Sequence, residues 1–210
     1  SMMTERKAAC GLCPHDCRLE EGETGFCGAR RAEGGRVVNA AYGQITSLSL
    51  DPIEKKPLRR FRPGAMILSV GSFGCNMRCP FCQNHQISQE WQGERLLRLD
   101  PAALVKQAES LLGEGNIGIA YTYNEPLINY EYLWDAGLLA HEQGLVNVAV
   151  TNGLLNEGPF RRLLPLLDAL NIDLKGFNSD YYAWLGGDLA TVKRNIALAV
   201  RSSHVELTTL

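Results

Sequence analysis

Residues 74–84 read GCNMRCPFCQN, three cysteines within a few positions in a chain of 210 residues that has seven in all. Directly before them stands AMILSVGS (65–72), the first strongly β-rich run. Cys75, Cys79 and Cys82 therefore fall on a loop at the C-terminal end of a predicted strand, where parallel-sheet proteins carry their sites. Gly71, Gly74 and Pro80 oppose a regular helix, so the loop can wrap round an object with its amides pointing inward. In a reducing compartment, clustered cysteines point to metal before disulfides.

Downstream, β-rich runs alternate with amphipathic stretches. After AMILSVGS the strand candidates are IGIAYTY (117–123), VNVAVTNG (146–153), ALNIDLKG (169–176) and HVELTTL (204–210). Between them DPAALVKQAESLLGEG (100–115) predicts a helix with Asp100 as N-cap, Pro101 at its first position, apolar Leu104, Ala108, Leu111 and Leu112, and a stop at Gly113 or Gly115. EPLINYEYLWDAGLLAHEQG (125–144) predicts a second, closed by Gly144, with Leu127, Tyr130, Leu133, Trp134, Leu138 and Leu139 toward the core. GPFRRLLPLL, interrupted by Pro165, and LATVKRNIALAVRS supply two more. Strand then helix is the repeating unit, which predicts an α/β fold with a parallel sheet covered by helices over residues 65–210. Five strands do not close an eight-stranded barrel, and the sequence stops inside an apolar strand, so a C-terminally truncated chain is expected.

Upstream, residues 1–35 are rich in glycine and charge and poor in aliphatic runs, so they need a staple to fold. Cys10, Cys13, Cys17 and Cys27 supply it as Cx2Cx3Cx9C, four thiolates suited either to structural zinc or to an auxiliary iron-sulfur cluster. His15 is a spare donor to a set that four sulfurs already complete. Ser1 and Met2, ahead of a second methionine, read as a remnant of tag removal. Residues 36–64 form an extended segment ending in a turn at Asp51 and Pro52; its basic run EKKPLRRFR (54–62) reads as a solvated loop.

A net charge of −2 argues against a broad nucleic-acid surface. With neither a membrane-length apolar run nor the apolar core of a signal peptide in sight, the expectation is a cytoplasmic protein with no membrane partner.

Three thiolates suit an iron-sulfur cube better than zinc, which wants a closed tetrahedron. A cube held by three leaves one iron open to a small molecule, which turns an electron carrier into a catalyst. His85, three residues beyond Cys82, is the alternative fourth ligand that would close either site.

CNMRCPFC fits the Cx3Cx2C signature of radical S-adenosylmethionine (SAM) enzymes, with Phe81 as the aromatic residue before the third cysteine. More narrowly, CGLCPHDC, GETGFCGAR, DPIEKKPL, FCQNHQIS, YTYNEP, TNG and DLKGF together resemble the radical SAM member of the AmmeMemoRadiSam system, a relative of pyruvate formate-lyase activating enzymes. That resemblance implies a partial (β/α)6 barrel, short here of its sixth strand. It implies a [4Fe-4S] cluster whose open iron is chelated by SAM, and reductive cleavage of SAM to a 5′-deoxyadenosyl radical that abstracts hydrogen from a substrate. Asn124 and Glu125 stand where relatives approach the SAM amino group, although the usual Gly-Gly is missing; Glu125 equally suits a helix cap. Thr151 and Asn152, and Asp173 and Lys175, end successive strands at the same rim. By resemblance Lys175 pairs with the SAM carboxylate and Asp173 lies near the ribose, the alternative being a local ion pair. Gln83 and Asn84 resemble a polar pair after the third cysteine, or simply form a turn. A flavodoxin or ferredoxin reductant is implied, with Memo-like and AMMECR-type partners. A glycyl radical enzyme as substrate, and a non-catalytic electron carrier, are the competing functions.

Overall fold

The computed structural model describes residues 7–91, 93 and 96–209; Ser1, Met2 and Leu210, the last residue of the final predicted strand, lie outside them. Six strands form one sheet: β1 (Ser47–Pro52), β2 (Met66–Gly71), β3 (Asn116–Tyr121), β4 (Val146–Thr151), β5 (Ala169–Asp173) and β6 (His204–Thr208). Their spatial order is β6-β5-β4-β3-β2-β1, parallel from β2 to β6, with β1 antiparallel to β2. The predicted strands thus form as a parallel set. The extended segment before them contributes an antiparallel edge to the same sheet.

A parallel sheet must bury both faces, and side chains alternate between them. On one face Leu68, Val70, Ile119, Tyr121, Ala149, Leu170 and Ile172 pack under the helices. On the other, Ile67, Ala120, Val146, Val148 and Ala169 meet Ile53 and Leu58. Both of the latter are fully buried, each stabilising the fold by roughly 1.5–3 kcal/mol over an exposed position. Residues 53–61 are therefore no solvated loop, as the basic run suggested. They form a strap across the inner face: Pro57 O accepts from Asn171 Nδ2 at 3.1 Å on β5, and the Arg59 and Arg60 amides donate to Glu206 on β6 at 2.9 and 2.8 Å. Apolar Ile53 and Leu58 pull the strap in while Arg59 and Arg60 stay exposed.

Besides a single helical turn at His85–Ser88, the helices are α1 (Pro101–Ser110), α2 (Tyr130–Glu142), α3 (Glu157–Leu163), α4 (Ser179–Trp184) and α5 (Leu189–Ala199). Asp100 caps α1 as expected, accepting from the Ala103 amide at 2.7 Å, but the helix ends before Leu112, which is exposed. The single helix predicted over 125–144 begins instead with a 3-10 turn, Pro126–Asn129. Leu138 faces solvent; Tyr132, Leu133, Ala136 and Ala140 face the core. α3 gives way to a 3-10 turn at Pro165, as its proline requires.

Before the sheet, Ala8–Ala9 pairs with Arg18–Leu19 and Arg30–Glu33 with Arg36–Asn39, around a small core of Ala8, Leu19 and Ala32. Buried Arg30 ties this segment to α2 through a two-pronged pair with Glu131 at 2.8 and 2.7 Å. No helix among the described residues is long and apolar enough to cross a membrane.

Candidate active site

The thiol loop leaves β2 and is pinned at its first turn. Gly74 has φ +89°, and a Cβ there would lie 2.5 Å from the carbonyl oxygen of Cys27. The next amide, of Cys75, donates to that same carbonyl at 3.0 Å. Asn124 holds the loop from the other side: Oδ1 accepts from the Ser72 amide, and Nδ2 donates to the carbonyls of Phe73 and Gly74. The sequence reading set Asn124 toward SAM; its amide is spent on the loop that carries the thiols.

Cys75, Cys79 and Cys82 line a cavity of about 380 Å³ together with Phe81, Asn124, Glu125, Thr151, Asn152, Asp173 and Lys175. These ten residues thus border one space, as do Gln83 and Asn84, at the end of the sheet where strand-end loops converge. Donors meet the sulfurs: the Met77 amide lies 3.4 Å and Asn152 Nδ2 3.7 Å from Cys75 Sγ, and Ser88 Oγ lies 3.2 Å from Cys82 Sγ. Hydrogen bonds of this kind tune thiolates that hold iron. Burial, then the charge of Glu125, pushes the Cys75 thiol far up; burial also raises Cys79, against the pull of Lys175. Such thiols stay protonated until a cation displaces the proton. His85 does not border the cavity: Nδ1 lies 3.3 Å from the Cys82 carbonyl and Nε2 faces Glu90.

Glu125 is 3 % exposed. Its carboxylate caps the 3-10 turn through the Leu127 amide at 2.9 Å and accepts from Thr151 Oγ1 at 2.6 Å and the Asn152 amide at 2.8 Å. Burial outweighs these bonds and raises its pKa to about 7. Lys175 Nζ pairs with Asp173 at 3.1 Å, the local ion pair anticipated as the alternative. Burial depresses the Lys175 ammonium, but the charge of Asp173 beside it wins and raises it. Phe81 is 41 % exposed at the mouth, and Asn84 Nδ2 donates to the Tyr123 carbonyl at 2.9 Å.

Sequence reasoning missed Lys55, Lys56 and Tyr123, which border the same cavity. Lys56 is 2 % exposed and bonds Asp51 at 2.9 Å; Tyr123 Oη donates to the same carboxylate at 2.8 Å. The available signal was an aspartate five residues before a lysine that lies between Ile53 and Leu58.

The other cysteine set surrounds a smaller cavity lined by Cys10, Cys13, Cys17, Cys27, His15 and Arg30. Burial lifts Cys13 to about 11 and raises Cys27. All seven cysteines are free. His15 is occupied elsewhere, stacked on Phe26 and 2.8 Å from the Asn76 carbonyl. Arg30, 6 % exposed, leaves its Nε without a hydrogen-bond partner among the described residues. Among those residues, neither cysteine set is drawn in to the spacing of a single bound ion.

Among known proteins, an uncharacterized protein of Methanocaldococcus jannaschii is 41 % identical over 181 residues, 86 % of this chain and 53 % of that protein. The pyruvate formate-lyase-activating enzyme of Clostridium pasteurianum is 24 % identical over 144 residues, 65 % of this chain and 60 % of that enzyme. The chain thus spans about half the length of the curated relatives it matches. Among solved structures, QueE from Escherichia coli aligns over 80 % of this chain and 94 % of that one, with a TM-score of 0.45 and 11 % identity. The sequence profile of the Radical SAM superfamily matches residues 69–210, more than half the chain and the whole thiol loop, and by that match the chain belongs to the radical SAM superfamily.

Proposed function

We propose that this chain is the catalytic part of an enzyme that cleaves SAM reductively and abstracts hydrogen from a substrate. The observation that carries the reading is a set of three thiols, Cys79 buried and Cys75 and Cys82 half-buried, bordering a cavity that also holds Glu125, Asp173 and Lys175, with His85 turned aside. Cys75, Cys79 and Cys82 would hold a [4Fe-4S] cluster, which when bound would supply the electron for reductive cleavage of the SAM sulfonium bond. The chain's own groups supply orientation. Glu125, anchored by three hydrogen bonds, faces an ammonium; Lys175, raised by its neighbours, faces a carboxylate. Thr151 and Asn152 fix the Glu125 carboxylate, and Asn152 reaches Cys75 as well.

The motif set supports an AmmeMemoRadiSam-type enzyme with Memo-like and AMMECR-type partners and a flavodoxin or ferredoxin as reductant. The likeness to the clostridial activating enzyme supports a second reading, in which the hydrogen donor is a glycine of a glycyl radical enzyme. We also assign a second metal centre, zinc or an auxiliary cluster, to Cys10, Cys13, Cys17 and Cys27; the unpartnered Arg30 Nε on that cavity suits a negatively charged tetrathiolate.

After anaerobic reconstitution with iron and sulfide, dithionite and SAM are expected to yield 5′-deoxyadenosine, and Cys79→Ala to yield none. Redox cycling without product would make the chain an electron carrier. Product from the Cys79→Ala variant would refute the loop assignment.

A further inference from the structure

The strap over residues 53–61 gives the cavity a floor. Asp51, just before the strap, is in register with Ile67 near the start of β2, whereas the thiols follow the end of β2. Four residues of strand place the Asp51 backbone roughly 13 Å below the rim. Here Lys55, Lys56 and Tyr123 border the cavity that Cys75, Cys79 and Cys82 border at its top.

The floor is built with care. Tyr123 carries φ +73°, a conformation that side chains other than glycine rarely take and that persists only where the surroundings enforce it. They do so here. A Cβ on Gly71 would come within 2.7 Å of Tyr123 Cδ2, so glycine alone admits the ring. Asn84 holds the Tyr123 carbonyl and Asp51 holds its hydroxyl.

Lys56 lies 4.7 Å above that ring, a cation against a π face. Its ammonium has three N–H donors, yet among the described residues one acceptor serves it, Asp51 Oδ2. Asp51 is saturated by comparison: it receives Lys56, Tyr123 and Ser49, and Lys55 stands 3.5 Å off. Two ammonium groups face one carboxylate, so the floor is net positive. Nearby on β2, the buried Ser69 hydroxyl also lacks a partner among the described residues. A buried ammonium with spare donors on a cavity wall is costly unless something accepts from it.

We propose that this floor is an oxyanion subsite: the substrate carries a carboxylate or phosphate that docks on Lys56 and Lys55, leaving the rest of the molecule to reach up toward the thiol loop. Lys56 is the binding residue, and Asp51 and Tyr123 position it. Lys55 adds a second charge from the solvent side. The inference rests on the proposed radical function for what happens at the rim, while the docking itself does not depend on it.

The test is a ligand-observed NMR titration of the reconstituted protein with inorganic phosphate, malonate and, as a neutral control, glycerol. Saturable binding of phosphate or malonate is expected, with none of glycerol; the tighter of the two anions separates a phosphate from a carboxylate substrate. Removing Lys56 alone strands a buried carboxylate, so the decisive variants are Lys55→Met, which keeps the Lys56–Asp51 pair, and the neutral double change Asp51→Asn with Lys56→Met. The double variant, its fold checked by thermal unfolding, is expected to weaken anion binding about tenfold or more, Lys55→Met less so, and the remote Lys7→Met not at all. Wild-type protein that binds neither anion, or variants that bind as well as wild type, would overturn the subsite. Release of 5′-deoxyadenosine is scored in the same samples. Product without anion binding removes the subsite and leaves the function standing; anion binding without product does the reverse.

Discussion

At Glu125, burial against three hydrogen bonds sets a carboxyl that changes charge near neutrality. Its folded pKa is raised, so between about 4.5 and 7 the folded chain keeps a proton that the unfolded chain has lost. The stability this group contributes is complete below that window and fades as pH climbs through it. Affinity for SAM runs the other way, because an ammonium selects the ionised carboxylate. Equilibrium binding is expected to tighten as pH rises through about 7, and Glu125→Gln to weaken it about tenfold or more and flatten the profile. A wild-type profile without that rise would remove Glu125 from the amino-group contact. Short motifs brought Glu125 and the three cysteines forward as candidates, and they border one cavity. Lys56 was not among them: a lysine in a basic run looks solvated until Ile53 and Leu58 draw its neighbours under the sheet.

The thiol loop and the strap show how segments without regular structure are held. Gly74→Ala brings a Cβ to within 2.5 Å of Cys27 O at φ +89°, both a clash and a strained backbone. A loss of roughly 2 kcal/mol or more in denaturant unfolding is expected, together with weaker cluster absorbance after reconstitution. An unaltered midpoint would show that the loop can lift away from Cys27. The β-rich runs were readable because both faces of a parallel strand must be apolar. α4 was not, since its six residues, lying between β5 and α5, carry too little periodicity; Asn178, which caps it by accepting from the Tyr181 amide, was its one local mark. Nor could a pattern confined to neighbours reveal that β1 returns antiparallel onto β2.

In the whole molecule the two cysteine sets meet directly, the Cys75 amide on the Cys27 carbonyl, with His15 against the Asn76 carbonyl and Arg78 donating to the Phe26 carbonyl beside it. Arg30, bordering the first set, is bonded to Glu131 on α2, so an occupied first site braces the helical layer as well. Metal analysis of the reconstituted chain is expected to give about four irons plus one zinc, or about eight irons. Cys13→Ser should remove only the zinc or the second set of irons and lower the thermal midpoint of the entire chain. Four irons without zinc in the unaltered protein would show that the first set is no metal site. Composition suggested a cysteine-rich start ahead of a sheet, but it could not suggest their union, because the contacts that make it, Cys75 on Cys27, His15 on Asn76 and Arg30 on Glu131, join residues far apart in sequence.

Glu206 meets the amides of Arg59 and Arg60 across 147 and 146 positions of sequence. On a ribosome, where a chain grows by roughly 5–20 residues each second, the base of the pocket must wait about 7–30 s for its far anchor to emerge. A nascent chain that has already exposed all seven thiols still lacks a finished chamber, so iron delivered during translation would meet its ligands before the room around them exists.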